Sequence, residues 1–385
     1  MEQMQKTVQS LMDDAVAKGN IAGANLLVLQ KGQEIVYAEA GYGDREKKRP
    51  YRRDTIARLY SMTKPVTAAA VMILVERGLL DLGSGLSSIL PCFANPMVWE
   101  QGKKVPARRE ITVKDLLNMT SGLPYPAEGE AGRAAAEMFE EVYARLYTDD
   151  PVTTMEMAEK LAQGGLHFHP GDHWMYGTSA DILGAVVEAV SGMKFGEFLR
   201  KELFEPLGMD DTGFYVPEEK QHRLAEAYEC TAEGIRHFQT NYLGIRYPMD
   251  CPPAFESGGA GLVSTLDDYA KFASMLMEGG RGILKPNTIR FLTEGALTDW
   301  QKESCQRNWN DLIGQTYGNL MRHMTEPARA VYHGWAGEYG WDGWLGCYFC
   351  NCPEKGITFL FTCQIKDCAV LPLIRRIRNV IAATL

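Results

Sequence analysis

Ser61 and Lys64 stand three residues apart, a spacing that places both side chains on one face at the start of a helix. A serine hydroxyl is a weak nucleophile at neutral pH and needs a proton acceptor within hydrogen-bond reach. A lysine desolvated enough to shed its proton can be that acceptor, so the pair has the makings of acyl transfer. The spacing alone is weak evidence, because it arises by chance on the order of once in a few hundred residues. The chain repeats it at Ser191 and Lys194, where Gly192 follows an apolar run from Ile182 to Val190 and marks a helix end. That copy reads as a turn. Ser61 instead precedes Pro65, tolerated in a first helical turn, and a run rich in Ala, Val, Met, Ile and Leu up to Val75. This pattern predicts a buried helix with the hydroxyl at its positive end.

Acyl transfer also needs a group that hands a proton to the leaving atom, and donors that hold the oxyanion. Two segments could supply them. The first, residues 169–179, carries His173, Trp174, Tyr176, Gly177 and Thr178 and ends at the expected start of a helix near Ala180. A tyrosine in such a loop serves packing as readily as catalysis. The second, residues 333–343, contains His333, Gly334, Trp335, Ala336, Gly337, Glu338, Tyr339, Gly340, Trp341, Asp342 and Gly343. Its glycines would let a substrate approach the backbone and meet free N–H groups, and an aromatic-filled hairpin turn is the plain structural alternative.

Metal chemistry has two weaker footholds. His167, His169 and His173 sit in a Pro and Gly turn without the carboxylate spacing of a hydrolytic zinc site, and no H-E-x-x-H occurs. Cys347, Cys350, Cys352, Cys363 and Cys368 lack zinc-ribbon spacing and lie in sequence that reads as strands. Both groups are taken as structural, so no metal or other cofactor is expected. Nine cysteines in a long chain favour free thiols over a disulfide framework.

The elements that must position these residues follow from the hydrophobic pattern. The composition, 45% hydrophobic and 23% charged, excludes disordered and fibrous classes. The formal charge of −9 is scattered, and the basic pairs are too short for a nucleic-acid footprint. No run approaches the roughly 20 apolar residues of a membrane span, and residues 1–19 form an amphipathic pattern rather than a signal peptide. A cytoplasmic location, a small-molecule substrate and no nucleic-acid or membrane partner are therefore expected; oligomeric state is not indicated.

Residues 22–30 and 34–41 read as a hairpin joined by Lys31, Gly32 and Gln33. Helices are predicted around 65–77, 113–119, 132–146, 153–163, 180–190, 195–203 and 266–278, the last capped by Ser264 or Thr265. Residues 316–324, 330–335, 344–351 and 357–365 read as strands, and 368–384 as a final helix. The simplest architecture is an α+β fold with an antiparallel sheet from both termini and a large helical insert. In residue ranges, 1–60 and 250–385 form a sheet subdomain and 61–249 a mainly helical one, within one catalytic domain.

Together, Ser61 to Lys64, Tyr176 to Thr178 and Trp335 to Gly337 resemble the three ordered motifs of the serine β-lactamase and penicillin-binding protein superfamily, most closely its esterase-like branch related to class C β-lactamases. Three further stretches are similar to family signatures: Ile111 to Leu117 running on to Thr120, Ser121, Gly122 and Leu123; Phe204 to Met209 with Thr212; and Gly258 to Thr265. The resemblance covers nearly the whole chain and implies a β-lactamase/transpeptidase-like fold. It implies that Ser61 is acylated, that Lys64 and Tyr176 share the proton transfers, and that the N–H groups of Ser61 and Glu338 hold the oxyanion. Thr178 stands where β-lactamases usually have Asn. Trp335 stands where a Lys would bind a penicillin carboxylate, with His333 close by. These departures shift the expected substrate from lactams toward small esters. Acyl transfer to an amine or alcohol, hydrolysis of a lactam, or cleavage of a D-amino-acid peptide or amide would use the same machinery; a noncatalytic binding protein on the same scaffold is the reading from another class.

Overall fold

The computed structural model describes residues 1–366 and 370–385. Its centre is an eight-stranded antiparallel sheet drawn from both ends of the chain. Across the sheet the strands run Gln315–Gly318, Met321–Met324, Tyr339–Asp342, Tyr348–Cys352, Ile357–Cys363, Gly23–Gln30, Gln33–Asp44 and Arg49–Pro50. Each central strand is buried on both faces, and the period of two divides its side chains between two cores. Leu27, Phe349, Leu360 and Trp341 belong to the core shared with the helical region. Leu26, Val28, Tyr348, Cys350, Phe359 and Phe361 belong to a second core under the two terminal helices.

Those helices, Glu2–Ala17 and Val370–Thr384, pack on each other. Met4, Val8, Met12 and Ala15 form the apolar stripe of the first, and Ile374, Ile377 and Ile381 that of the second. On the opposite face, the helix Thr63–Glu76 is buried along nearly its whole length, as expected of a helix that is apolar all round. It packs against Ser179–Ser191, and the helices Val113–Asn118, Glu130–Arg145 and Thr154–Gly164 complete the helical region.

The fold is the α+β arrangement read from the sequence, with local differences around the site; in addition the strand expected over 344–351 begins at Tyr348, and the helices Pro286–Thr293 and Asp299–Asn308 were not expected. Residues 316–324 form two strands, because Asn319 and Leu320 turn the chain back with φ of 50° and 62°. Tertiary contacts hold Leu320 there: its N–H donates to Leu117 O at 2.8 Å, while Asn319 Oδ1 accepts from Lys114 Nζ at 2.7 Å. Residues 330–335, expected as a strand, make none, and the His333 N–H donates to the Asn379 side chain of the last helix instead. Tyr339–Asp342, expected as part of a glycine-rich turn, is a paired strand. Gly340 is needed there because a Cβ would stand 2.1 Å from Phe349 O on the neighbouring strand. The final helix begins at Val370, and Cys368 lies outside the described residues. Among the described residues seven cysteines are free thiols.

One buried ion pair ties the last helix to the sheet: Arg378 pairs with Glu338, and its Nη1 donates to Tyr348 OH at 2.7 Å. Both charged side chains are almost fully buried. Arg378→Met should therefore cost roughly 3–5 kcal/mol in urea unfolding, because Glu338 is left buried without its cationic partner. Adding Glu338→Gln to that variant should restore much of the loss.

Candidate active site

Leu59 and Arg58 are stitched to the Gly258–Thr265 segment: Arg58 pairs with Val263, and the Leu59 N–H donates to Leu262 O at 2.9 Å. The chain then turns through Tyr60, whose φ of 45° lies in the left-handed region. Such a conformation costs a bulky residue roughly 1–2 kcal/mol. The Tyr60 ring is held edge-on to Trp344 at 5.1 Å between centroids. The turn delivers Ser61 to the mouth of the helix, where Met62 O accepts from the buried Tyr269 hydroxyl at 2.9 Å and Thr63 Oγ1 accepts from the Leu262 N–H at 3.1 Å.

Lys64 Nζ lies 3.1 Å from Ser61 Oγ, 3.1 Å from Tyr125 OH and 2.8 Å from Gly259 O. Its side chain is fully buried. Desolvation brings its pKa down to about 7, against the opposing charges of Asp181 and Asp342. The proton arithmetic follows from the partners. A carbonyl oxygen can only accept, so Gly259 O takes one N–H; a neutral amine can give its other N–H to Tyr125 OH and turn its lone pair to the Ser61 hydroxyl. That is the arrangement of a base beside its nucleophile. Behind it, Asp181 Oδ1 accepts from Ser257 Oγ at 2.5 Å and from the Gly259 N–H at 3.0 Å. Burial pushes the Asp181 carboxyl upward, while Lys64 and these hydrogen bonds pull it back.

Tyr176 completes the constellation. Its ring lies 4.5 Å from Lys64 Nζ, and its hydroxyl accepts from the indole N–H of Trp341 at 3.0 Å. Burial raises the phenol pKa, opposed by hydrogen bonding with Ser61 and Trp341. The loop that carries it needs Gly177, since a Cβ there would stand 1.9 Å from Leu123 O. That close approach brings in Tyr125, which no spacing rule links to Lys64; its position just after the Thr120 to Leu123 signature was the one available signal.

Ser61 and Tyr176 open into a cavity of about 260 Å³ shared with Trp309, Asp342, Gly343, Trp344, Gly346, Cys347, Ile365, Leu371 and Ile374. A larger cleft of about 350 Å³ near Lys194 and Phe214 is lined by none of Ser61, Lys64 and Tyr176.

The expected third motif is corrected by the sheet. Trp335 packs against the core under the terminal helices, on the face away from Ser61. The Gly337 N–H is spent on Met324 O of the neighbouring strand and the Glu338 N–H on Trp335 O of its own turn, and the Glu338 carboxylate is committed to Arg378. His333 is exposed. These four residues are not brought to the cavity. Trp341, Asp342 and Gly343 occupy the expected place, because the pleat of Tyr339–Asp342 turns Trp341 to the helical side. At Gly343 a Cβ would stand 2.2 Å from Leu59 O, so only glycine lets this turn lie against the Ser61 loop. Thr178 is also withdrawn: it is buried and its hydroxyl donates to Pro124 O at 3.2 Å. The histidines are structural in their contacts, with His169 Nε2 2.8 Å from Glu100 and Nδ1 accepting from the Arg108 N–H at 3.2 Å. Among the described residues no group of His, Cys, Asp and Glu converges as a metal site would.

Comparison with known proteins places this geometry in context. The Beta-lactamase family pattern matches residues 6–377. Esterase EstB of Burkholderia gladioli is 31% identical over 360 residues, covering 88% of this chain and 85% of its own. EstCE1, described as a hydrolase with promiscuous acyltransferase activity, superposes with a TM-score of 0.84 at 26% identity, over 99% of each chain. Simvastatin synthase LovD from Aspergillus terreus shares the fold with a TM-score of 0.82 at 21% identity, over 99% of this chain and 98% of that one.

The depressed pKa of Lys64 has a consequence for stability. In the unfolded chain a lysine titrates near 10.4, so between about pH 7 and that value the unfolded state holds one more proton and the native chain gains stability as pH rises. Below about pH 7 the cost of burying the charge is present in full. Lys64→Met removes this dependence. Its stability relative to the native chain should be most favourable near pH 6 and fall by pH 9, as read from thermal unfolding of both chains at matched pH.

Proposed function

The chain belongs to the Beta-lactamase family and is a serine hydrolase, and within that frame we propose that it cleaves small esters through an acyl intermediate on Ser61. The single observation that carries this reading is the buried Lys64 amine, 3.1 Å from Ser61 Oγ with its pKa brought down to about 7. Lys64 takes the Ser61 proton as Oγ attacks the ester carbonyl. Tyr176, bonded to the Trp341 indole, relays a proton to the leaving oxygen. The tetrahedral oxyanion is held by the backbone N–H of Ser61, at a helix start where N–H groups lack helical acceptors, and by that of Trp344, which the Gly343 turn brings against the Ser61 loop. Water then attacks the acyl carbon and regenerates Ser61.

The esterase name of EstB supports an ester substrate, as does the third motif, which offers Trp341, Asp342 and Gly343 and no lysine for a penicillin carboxylate. A second reading, transfer of the acyl group to an alcohol, is favoured by the apolar wall of Trp309, Trp344, Leu371 and Ile374 beside Ser61. The description of EstCE1 supports it too. The two share the acyl-enzyme and part at the acceptor. Added alcohol should divert product from acid to ester if the second holds.

Treatment with a fluorophosphonate should add one adduct, on the Ser61 peptide, by mass spectrometry; full activity with Ser61 unmodified would contradict the mechanism. Ser61→Ala should abolish turnover of p-nitrophenyl esters, and Lys64→Ala and Tyr176→Phe should each lower kcat by several orders of magnitude. Because the three act as a unit, the Lys64→Ala/Tyr176→Phe double variant should lose far less than the product of the single losses.

A further inference from the structure

Asp342 stands in the wall of two clefts at once. One is the Ser61 cavity. The other adjoins it and is lined by Trp309, Arg322, Tyr332, Tyr348 and Arg378 among others. Asp342 Oδ1 accepts from Arg322 Nη1 at 2.6 Å. Arg322 is itself immobilised: Nη2 donates to Phe349 O at 3.2 Å, the guanidinium lies 4.4 Å from the Tyr348 ring centroid, and its side chain is only 5% exposed. The carboxylate is thus held in one orientation with its cation behind it. Among the described residues no donor is bonded to Oδ2, yet the Asp342 side chain keeps 26% exposure. That exposure falls in the clefts whose wall it forms. A substrate acylating Ser61 therefore meets a fixed carboxyl acceptor beside Trp341, the residue that holds Tyr176; burial pushes this carboxyl upward, and Arg322 and Lys64 pull it back toward the charged form.

We propose that Asp342 is a specificity-determining residue: its free oxygen accepts a hydrogen bond from a hydroxyl or ammonium group on the acyl portion of the ester, and it excludes esters that place a carboxylate there. The inference rests on the reading of Ser61 as the acylated residue. A donor group arriving at Oδ2 exchanges a hydrogen bond to water for a charge-assisted one in a partly desolvated site. A carboxylate arriving there would be desolvated beside a like charge, with Arg322 already bonded on the far side. The neighbouring charges do not reverse this sign, because Arg378 is paired with Glu338 and Arg375 with Asp311.

The test compares kcat/KM for methyl butyrate, methyl 2- and 3-hydroxybutyrate and monomethyl succinate, whose product acids are measured by chromatography. The native chain should favour one of the hydroxybutyrates over monomethyl succinate by at least tenfold. Asp342→Asn, which keeps an acceptor but loses the charge, should shrink that ratio at least tenfold by raising turnover of the succinate. Asp342→Leu should also abolish the preference for hydroxybutyrate over butyrate. Since Asp342→Asn leaves Arg322 buried without its counterion, the double variant Asp342→Asn/Arg322→Met is measured beside it and should show the same change of ratio. A merely structural role would lower all four substrates together and leave the ratios in place. Ratios unchanged within twofold in these variants, with Ser61 still labelled by fluorophosphonate, would overturn the proposal alone. Failure of Ser61 to label in the native chain would overturn the acyl-enzyme reading and this proposal with it.

Discussion

The removal of the Lys64 side chain from water is the constraint around which the rest of the molecule is arranged. An ammonium group in an apolar interior is costly, and the chain meets that cost by letting the pKa fall rather than by supplying a bonded carboxylate. Asp181 lies one step back, reaching Lys64 through the peptide of Gly259, whose carbonyl accepts from the lysine and whose N–H donates to the aspartate. A direct ion pair would raise the lysine pKa and remove its lone pair. The intervening peptide keeps the field of a negative charge while leaving the amine able to face Ser61.

That arrangement can exist only where several distant segments approach very closely. Two glycines show how close. Gly177 leaves no room for a Cβ against Leu123 O, and Gly343 none against Leu59 O. The first contact locks the Tyr176 loop to the loop bearing Tyr125. The second locks the end of the Tyr339–Asp342 strand to the turn bearing Ser61. Trp341 links the two, with its ring in the core and its N–H on the Tyr176 hydroxyl. The strained φ of Tyr60 belongs to the same economy of space, since a relaxed turn would move Ser61 away from the amine.

The two cores of the sheet divide the labour. The terminal helices and the Arg378 and Glu338 pair brace one face, and the other face presents Trp341 to the helical region, with Asp342 and Gly343 at the strand end in the wall of the Ser61 cavity. The Ser61 cavity thus lies between the end of the Tyr339–Asp342 strand and the start of a helix, with aromatic and aliphatic walls formed by Trp309, Trp344, Leu371 and Ile374. Precise placement of reacting groups is what such a scaffold contributes to catalysis.

What was legible in the sequence was what short-range geometry controls. Ser61 and Lys64 share a helix turn, so their spacing and the apolar run behind them were enough to foresee both the pairing and the burial. The ordered motifs were enough to foresee the two-ended sheet and helical insert. Tyr125 was not foreseen, because it reaches Lys64 across 61 residues of chain, and its place just after the Thr120 to Leu123 signature does not specify that contact. The choice between Trp335 and Trp341 depended on which face of a pleated strand each tryptophan occupies, and glycine-rich sequence hides a strand whose glycines are there to admit a neighbouring backbone. Local spacing was thus enough for the Ser61 and Lys64 pair and the helix that carries it. Tertiary packing alone set which aromatic residue stands beside Tyr176 and that Asp342 lines the Ser61 cavity, since those follow from register and close approach between segments far apart in the chain.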